Sequence, residues 1–317
     1  MDLKDKKILL TGAGGFLGGA VFKNLTARGV PEANIITPRI KDYDLRKREV
    51  CDELTKGIDV VLHIAGTVGG VGFNRDHPAI VFYDNAAMAL NMIDSSYRAG
   101  VKKFVGVGTV CEYPKLTPIP FREEELWNGY PEDTNAPYGL AKKMMLVQSR
   151  AYRAEYGFNA VHLLLTNLYG PGDNFDPKNS HALAALVKKT VEAAENGDKF
   201  IDVWGTGKAT REFLYVDDAA EAVVLAAEKY DGADPVNVGN GEEISIKSMT
   251  ETIMRLTNFK GEIKWDASKP DGQPRRMLDV SRAEKEFGFS AKTSFETGVQ
   301  KTIDWYFGHR QETNESI

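Results

Sequence analysis

Tyr138, Lys142 and Thr109 combine residue types and a spacing that suit proton transfer. Tyr138 and Lys142 are four residues apart, so they share one face of a predicted helix. A lysine held near a tyrosine favours the phenolate, and the phenol can then exchange a proton with a carbonyl oxygen or an alcohol near neutral pH. Thr109 ends a predicted strand, and its hydroxyl can hydrogen-bond the same oxygen. These three residues predict the proton-transfer groups of a dehydrogenase.

Cys111 and His181 offer a second acid/base pair that a simple dehydrogenase does not need. Alone, a cysteine is more often a small buried hydrophobe, and a histidine more often a satisfied polar residue. Hydrogens on the carbons beside a ketone are acidic, however, because donors on the carbonyl oxygen stabilise the enolate. Inverting such a carbon requires one group that removes a proton and another that returns one to the opposite face. The surplus pair predicts an enzyme that both epimerises and reduces a keto-sugar.

Short apolar runs alternate with helical patterns through the first half of the chain. The predicted strands cover 7–11, 34–37, 59–64, 103–107 and 160–165, and the predicted helices cover 16–28, 79–99 and 138–156. Nearly continuous apolar strands that alternate with helices predict a parallel sheet covered on both faces. The predicted fold class is α/β, a doubly wound parallel (Rossmann) sheet whose ligand crevice lies beyond the carboxyl ends of the strands.

The second half of the chain has shorter elements, which begin after a Gly-, Pro-, Asn- and Asp-rich loop at 169–180. The predicted elements are a helix at 182–195, a strand ending at Trp204, a strand at 211–216, a helix at 217–229 capped by Asp217, and helices near 245–257, 281–287 and 294–307. We expect a dinucleotide-binding domain over 1–168 with returning segments near 211–238, and a smaller α/β lobe over 169–210 and 239–310. The tail at 311–317 is expected to be disordered.

Composition excludes several classes of protein. The net charge of −5 over 317 residues argues against a general nucleic-acid binder. No apolar run approaches the ~20 residues of a membrane span, and two cysteines are too few for a disulfide framework, so a cytoplasmic protein is expected. No metal site is predicted. The pair Arg275 and Arg276 is interpreted as a solvated face or an anion contact.

Gly12, Gly15 and Gly18 follow the first predicted strand and open the first helix. A plain strand-to-helix turn has a similar composition, but the position of the loop as the first βα turn favours dinucleotide binding. After the second strand no carboxylate occurs before Asp42, which favours NADP(H) over NAD(H), with Arg39 either as the phosphate clamp or as a solvated loop cation. The cofactor-binding residues predicted at this stage are Gly12, Gly15, Phe16, Leu17, Gly18, Arg39, Asp44, Leu45, Ala65, Tyr138 and Lys142.

Two resemblances narrow the prediction. The glycine spacing and the Tyr-x-x-x-Lys pattern resemble the extended short-chain dehydrogenases/reductases. Longer motifs resemble the GDP-L-fucose synthases, which are bifunctional GDP-4-keto-6-deoxy-mannose 3,5-epimerase-4-reductases. These motifs are Val68–Gly70, Cys111–Lys115, Thr166–Phe175, Asn179–His181, Val203–Gly207, Arg211–Phe213 and Asp266–Gly272. The resemblance runs from about residue 7 to residue 305.

The second resemblance implies a role for each site residue. Cys111 would be the base at the carbons beside the keto group, and His181 would be the acid that reprotonates them. Tyr138, supported by Lys142 and Thr109, would hydrogen-bond the C4 oxygen and protonate it as NADPH delivers hydride. Asn167 would lie beside the substrate and the nicotinamide, and Lys189, Trp204, Arg211 and Lys269 would hold the GDP moiety, although Arg211 and Lys269 are also consistent with surface charge. A homodimer that pairs helices 79–99 and 138–156 is likewise implied.

Four positions depart from the GDP-L-fucose synthase pattern and leave the exact sugar open. Thr109 replaces a serine, Ala13 lies in the glycine loop, and Thr37 stands where a second arginine is expected. Glu112 replaces an apolar residue, and we expect its carboxylate either to raise the pKa of Cys111 or to contact an altered sugar.

Several alternatives remain at this stage. One is a related 4-reductase or epimerase acting on another GDP-keto-sugar, such as a dideoxyhexose or a heptose, or an enzyme of the GDP-mannose 3,5-epimerase type. A 4,6-dehydratase would carry Asp-Glu where Val110 and Cys111 stand. A non-catalytic scaffold on the same fold is disfavoured because Tyr138 and Lys142 are both present.

Overall fold

A computed structural model of the chain describes residues 1–176, 180–269 and 271–314. The strands are β1 (Ile8–Thr11), β2 (Ile35–Ile36), β3 (Val60–His63), β4 (Lys103–Thr109), β5 (Ala160–Leu165), β6 (Asn167–Tyr169), β7 (Phe200–Trp204), β8 (Thr210–Tyr215), β9 (Val236–Val238), β10 (Glu243–Ser245) and β11 (Glu262–Asp266). The α-helices are α1 (Phe16–Ala27), α2 (Arg48–Leu54), α3 (Val71–Asp76), α4 (Pro78–Arg98), α5 (Ala136–Tyr156), α6 (Ala182–Asn196), α7 (Val216–Lys229), α8 (Ile246–Leu256), α9 (Ser281–Phe287) and α10 (Phe295–Asn314).

The central sheet has the strand order β2-β1-β3-β4-β5-β9, and all of its strands are parallel. All residues of β1, β3 and β5 are buried, because helices cover both faces of the sheet. One apolar core joins the sheet to α1, α7 and α9, and another joins it to α2, α4 and α5. The chain leaves β1 towards β2 on one side and returns to β3 on the other, so a ligand crevice is expected where β1 and β3 end. The predicted α/β, doubly wound fold class is confirmed.

A second core lies outside the central sheet. Strands β6, β8 and β10 form a three-stranded sheet, and β7 pairs with β11 in parallel. Helices α6, α8 and α10 pack on these strands through a separate apolar cluster. Strand β8 belongs to this smaller sheet, although its residues were expected to return to the dinucleotide-binding domain, whereas α7 and β9 do return there. The division into two domains stays a prediction.

The element boundaries that differ from the predicted ones include the start of α7 and the end of α10. Helix α7 begins at Val216 with Tyr215 at its N-cap, because β8 runs into the helix without a loop. Asp217 therefore lies in the first turn rather than at the cap. Its carboxylate is stabilised there by the positive end of the helix dipole. Helix α10 continues to Asn314, so residues 311–314 are helical where disorder was expected. Residues 315–317 lie outside the described residues.

In the described part of the chain, none of the helices has both the length and the apolar character needed to cross a membrane. Within the same residues, no group of His, Cys, Asp or Glu side chains is arranged to hold a metal ion.

Candidate active site

The glycine loop between β1 and α1 packs against the end of β3. Gly12 has a φ of +77°, and a Cβ at this position would lie 2.8 Å from the backbone nitrogen of Ala65. A Cβ at Gly18 would overlap the carbonyl oxygen of Gly12. Thr11 accepts hydrogen bonds from the N–H groups of Ile64 and Ala65, both at 3.2 Å. Glycine is therefore required at 12 and 18 for the loop to lie this close to β3 and to the first turn of α1.

The first turn of α1 and Arg39 fit a phosphorylated dinucleotide. Gly15 caps α1 without a side-chain hydrogen bond, so the first N–H groups of the helix are available to an anion. A Cβ at Gly14 would overlap the guanidinium of Arg39, which places this cation directly against the glycine loop. The loop thus offers N–H donors for a pyrophosphate, and Arg39 offers a charge suited to a further phosphate.

The other predicted cofactor residues differ in what they can offer. Leu17 and Leu45 are buried in the apolar cores, so their side chains are not available to a ligand. Phe16 packs partly against the same core as Leu17. The carboxylate of Asp44 accepts two side-chain hydrogen bonds from Arg46, at 2.8 and 2.9 Å, and the Arg46 side chain lowers the pKa of Asp44. Contact between these residues and a cofactor stays a prediction.

The turn after β4 brings Thr109 and Cys111 together. Thr109 Oγ1 accepts a hydrogen bond from the N–H of Cys111 at 3.2 Å. Glu112 Oε1 accepts one from the N–H of Thr109 at 2.9 Å, which completes a capping box around the 3-10 helix Val110–Glu112. The Cys111 thiol is free and partly accessible, and Arg276 Nη1 approaches its sulfur at 3.9 Å.

Helix α5 carries Tyr138 and Lys142 onto this turn. Pro137 opens the helix, and a Cβ at Gly139 would overlap the carbonyl oxygen of Cys111, so the helix backbone lies directly against the turn. Lys142 Nζ lies 6.0 Å from the centroid of the Tyr138 ring. The structure therefore gathers the phenol, the amine, the Thr109 hydroxyl and the Cys111 thiol at the end of β4.

The electrostatics of this cluster keep the phenol protonated. Burial raises the pKa of Tyr138 above its ordinary value, and the charges of Cys111 and Glu112 act in the same direction. Burial also lowers the pKa of Lys142 to about 8, and the Glu112 carboxylate opposes this shift. Desolvation thus opposes the phenolate that Lys142 is expected to favour, and that expectation stays a prediction. A protonated phenol suits proton donation to a carbonyl oxygen.

His181 immediately precedes α6. Its side chain is accessible to solvent, yet the surrounding protein lowers the pKa of the imidazole by desolvation. Among the described residues no hydrogen bond or ion pair joins His181 to Cys111, so the pairing of these two groups stays a prediction. Asn179, which precedes it in the motif, lies outside the described residues.

The residues predicted to hold GDP lie on or beside elements outside the central sheet. Trp204 is 69% exposed at the end of β7, and Lys269 Nζ lies 5.5 Å from its ring centroid. Arg211 donates to the carbonyl oxygens of Thr210 and Gln273 at 2.7 and 2.6 Å, and burial lowers its pKa to about 10. Lys189 and Asn167 also have protein partners. Lys189 Nζ donates to the Asp202 carbonyl oxygen at 2.6 Å, and Asn167 Nδ2 donates to that of Glu212 at 2.9 Å.

Residues 8–239 match the protein family described as the NAD dependent epimerase/dehydratase family. The chain belongs to this family. GDP-L-fucose synthase 1 of Arabidopsis thaliana is 38% identical over 309 residues, which cover 96% of this chain and 94% of that protein.

Two solved structures of related proteins resemble this epimerase/dehydratase family member along almost the whole chain. A GDP-6-OMe-4-keto-L-xylo-heptose reductase from C. jejuni has a TM-score of 0.91 at 26% identity and covers 98% of this chain and 99% of its own. A GDP-L-fucose synthetase from Naegleria fowleri bound to NADP has a TM-score of 0.86 at 29% identity, covering 97% and 96%.

The sequence analysis missed two residues at the candidate site of this epimerase/dehydratase family member. The buried Glu212 carboxylate accepts from the N–H groups of Gly241 and Leu278, at 2.8 and 2.9 Å, and so ties two loops to β8. Arg276 is buried beside Cys111 and donates to Gln273 at 3.0 Å, so it is not part of a solvated face, while the alternative of an anion contact stays a prediction. The double arginine gave no signal of burial, because its cover comes from segments distant in sequence.

Glu112 does not contact a sugar. Its side chain has no exposed surface, and both carboxylate oxygens lie within 3.1 Å of His162 Nε2, on β5. The expected contact with an altered substrate is therefore wrong.

Proposed function

We propose that the chain is an NADPH-dependent epimerase-reductase that acts on a GDP-4-keto-6-deoxyhexose and forms GDP-L-fucose. The observation that carries the proposal is the Thr109–Glu112 turn packed against α5. There a partly accessible thiol, Cys111, shares one site with a protonated phenol, Tyr138, so a base for a carbon acid lies beside an acid for a carbonyl. The 38% identity to a plant GDP-L-fucose synthase supports the same reaction.

Epimerisation uses the side chains of the turn, α5 and the α6 terminus. Cys111, as the thiolate, removes the proton from C3 or C5, and the hydroxyls of Thr109 and Tyr138 donate hydrogen bonds to the C4 oxygen, where the enolate charge develops. The imidazolium of His181 returns a proton to the opposite face of the carbon. Each inversion therefore moves one proton onto sulfur and one off nitrogen, and the two groups are restored by exchange with water.

Reduction uses the protonated phenol. Bound NADPH supplies the hydride that reduces C4. Tyr138 donates its proton to the C4 oxygen, and the nearby Lys142 ammonium stabilises the phenolate that this leaves. Gly12, Gly15 and the backbone of Ala65 would hold the dinucleotide, with Arg39 on the further phosphate.

The substrate-binding residues follow from the chemistry of a GDP-sugar. Lys189, Arg211 and Lys269 would neutralise the diphosphate, and the exposed indole of Trp204 would contact the nucleoside. Asn167, at β6, would lie between the substrate and the nicotinamide.

We also infer a cytoplasmic homodimer. Helices α4 and α5 pack side by side, and their outer surface exposes apolar side chains that a monomer would leave in water. Ile80, Tyr83 and Leu90 are 52%, 64% and 40% exposed on α4, and Val147 is 50% exposed on α5. Two free cysteines fit a reducing compartment.

The function is tested by incubating the protein with NADPH and GDP-4-keto-6-deoxy-mannose in deuterated water. We expect NADPH oxidation and a GDP-L-fucose product with deuterium at C3 and C5. Cys111→Ala should lose the deuterium incorporation, whereas Cys51→Ala, which removes a buried thiol whose pKa is raised to about 12, should retain it. Deuterium without NADPH oxidation would indicate an epimerase and would overturn the reductive half of the proposal.

The runner-up is a C4 reductase of another GDP-keto-sugar, such as a heptose. It is favoured by the TM-score of 0.91 to a GDP-heptose reductase. NADPH oxidation without deuterium at C3 and C5 would establish the runner-up and would leave Cys111 as a substrate contact.

A further inference from the structure

A buried pair, Glu112 and His162, lies directly behind the catalytic turn. Glu112 is 0% exposed and His162 is 1% exposed. Their side chains meet at 3.0 Å between His162 Nε2 and Glu112 Oε1. A Cβ at Gly108 would overlap atoms of both side chains, so the glycine on β4 makes the space that the pair occupies. None of these groups is assigned a role in the proposed reaction.

The pair anchors the residues that contact the substrate. Glu112 Oε1 also accepts from the N–H of Thr109 at 2.9 Å, and the turn it closes carries Cys111. The backbone of the same turn is in contact with α5 at Gly139. The position of the Thr109 hydroxyl and of the Cys111 thiol therefore depends on a carboxylate held in place by His162.

The hydrogen bonds of His162 determine the charge of the pair. Its Nε2 faces the carboxylate, and within the described residues its buried Nδ1 has no partner. A doubly protonated ring would leave an Nδ1–H donor buried without an acceptor, which is costly, so the neutral Nε2–H form is favoured. The pair then carries one negative charge, on Glu112.

The charged and titratable groups whose charges interact with this carboxylate come from three elements. They are Tyr138, Lys142 and Lys143 on α5, His162 on β5, and Cys111 and Tyr113 on its own turn. One of these elements, α5, packs on Glu112 itself, because a Cβ at Gly139 would lie 3.3 Å from the Glu112 backbone nitrogen. The Glu112 charge raises the pKa of Lys142 against desolvation, and it also raises the pKa of Tyr138. One buried charge thus favours the protonated form of both residues.

We propose that Glu112 and His162 form a positioning pair that fixes the Thr109–Cys111 turn and supplies the buried counter-charge of Lys142. The proposal deepens the proposed function, on which it rests for its kinetic consequences. Its structural consequences can be measured without any substrate.

The first test follows Lys142 by NMR in protein labelled with carbon-13 lysine, with the signal assigned by its loss in Lys142→Arg. We expect Glu112→Gln to lower the titration midpoint of Lys142 by at least about half a pH unit, because a facing negative charge is removed. The matched control is Glu123→Gln, which removes another buried carboxylate, one that accepts from the Asn237 N–H at 2.9 Å and forms an ion pair with Arg282. If the Lys142 midpoint is unchanged in Glu112→Gln, or shifts equally in Glu123→Gln, Glu112 is not the counter-charge of Lys142 and the proposal is overturned.

The second test uses His162→Gln, which keeps a side-chain donor and remains informative if Glu112→Gln does not fold. Because the ring is neutral in the proposal, the Lys142 midpoint should stay where it is in the unmodified protein. A rise of the midpoint would mean that a positive charge was lost with His162, and would overturn the assignment. Imidazole nitrogen-15 shifts, assigned by the same variant, should show the Nε2–H form at pH 7.

The kinetic test is the pH profile of NADPH oxidation with GDP-4-keto-6-deoxy-mannose. Glu112→Gln should lower kcat about tenfold with little change in KM, and should move the alkaline limb to lower pH as Lys142 and Tyr138 lose their proton more easily. Glu112→Asp keeps the charge and should return the alkaline limb to its position in the unmodified protein. It should not restore kcat, since the shorter side chain loosens the turn. A loss of kcat without a moved limb overturns the counter-charge. If the unmodified protein does not oxidise NADPH, the proposed function fails. The NMR results still show whether Glu112 and His162 form the proposed pair.

Discussion

Lys142 places an ammonium group in a buried site, and desolvation lowers its pKa from the ordinary 10.5 to about 8. At about 1.4 kcal/mol for each pH unit, the cost of keeping this residue charged in the folded protein is about 3 kcal/mol. Between pH 8 and pH 10.5 the unfolded chain binds more protons than the folded one, so this residue makes stability rise with pH across that window. Below pH 8 both states are protonated and the cost is constant.

Lys142→Met should therefore stabilise the protein while it removes reductase activity. We expect a gain of up to about 3 kcal/mol in the free energy of unfolding at pH 7, which shrinks towards zero as the pH approaches 10.5. Urea unfolding at a series of pH values measures it. Lys285→Met, at a side chain that is 83% exposed, is the control and should change stability little. A gain that does not vary between pH 7 and pH 10 would contradict the assigned burial cost.

At the level of elements, the site depends on the close contact between α5 and the turn that ends β4. Gly139 lies against the Cys111 carbonyl oxygen, and no side chain separates the two backbones. The contact sets the separation between Tyr138 on the helix and Cys111 on the turn. A displacement of about 1 Å at this contact would be enough to lower the rate about a hundredfold.

Gly139→Ala should push α5 away from the turn. We expect kcat for NADPH oxidation to fall about a hundredfold, with a loss of about 1 to 3 kcal/mol in stability. Gly308→Ala on α10, where an added Cβ would meet no atom within 4 Å, should leave kcat unchanged. Steady-state kinetics and denaturant unfolding on both variants measure the difference. Full activity in Gly139→Ala would show that the turn tolerates displacement.

The loop after β2 contains Arg39, which we expect to determine the preference for NADPH over NADH. Arg39 lies against the glycine loop at Gly14, where a 2′-phosphate would meet its guanidinium. Arg39→Ala should raise the KM for NADPH about tenfold or more and leave the KM for NADH nearly unchanged, because a charged hydrogen bond contributes about 1.5 to 3 kcal/mol. Arg255→Ala, which removes a surface ion pair with Glu296, is the control. An equal effect on both cofactors would place Arg39 away from the 2′-phosphate.

The elements that the sequence predicts best are those with long apolar periodicity. The helices expected at 79–99 and 138–156 are found as α4 and α5, each of 21 residues. Helices α2 and α3 were not predicted, since seven and six residues carry too little periodicity. The sequence also could not predict that the Glu112 side chain points into the protein interior. This orientation depends on His162, 50 residues away, and on the space left by Gly108.

The molecule combines the apolar cores of the central sheet with a separate core built on the smaller sheets. The cores of the central sheet include α7, β9 and α9, whereas the separate core contains residues of β6, β7 and β8 together with α6, α8 and α10. The Glu212 carboxylate on β8 accepts hydrogen bonds from the N–H groups of Gly241 and Leu278, and Arg276 approaches the sulfur of Cys111. The Thr109–Glu112 turn is thus tied to β4 and β5 of the central sheet through Glu112, while Arg276 contacts Cys111 from a segment outside that sheet.

At the scale of the whole molecule, we expect the exposed surface of α4 and α5 to form the interface of a homodimer. A two-fold axis would bring Tyr83 and Val147 of one copy against the same helices of the other, which covers the exposed apolar side chains without an open edge. Light scattering should give twice the chain mass of 35.0 kDa. Val147→Lys should reduce the mass to that of one chain, because the introduced ammonium would be buried at the interface. Leu116→Lys, at an 87% exposed side chain outside both helices, should leave the dimer intact. A monomer in the unmodified protein would mean that this apolar face is covered by something other than a second copy.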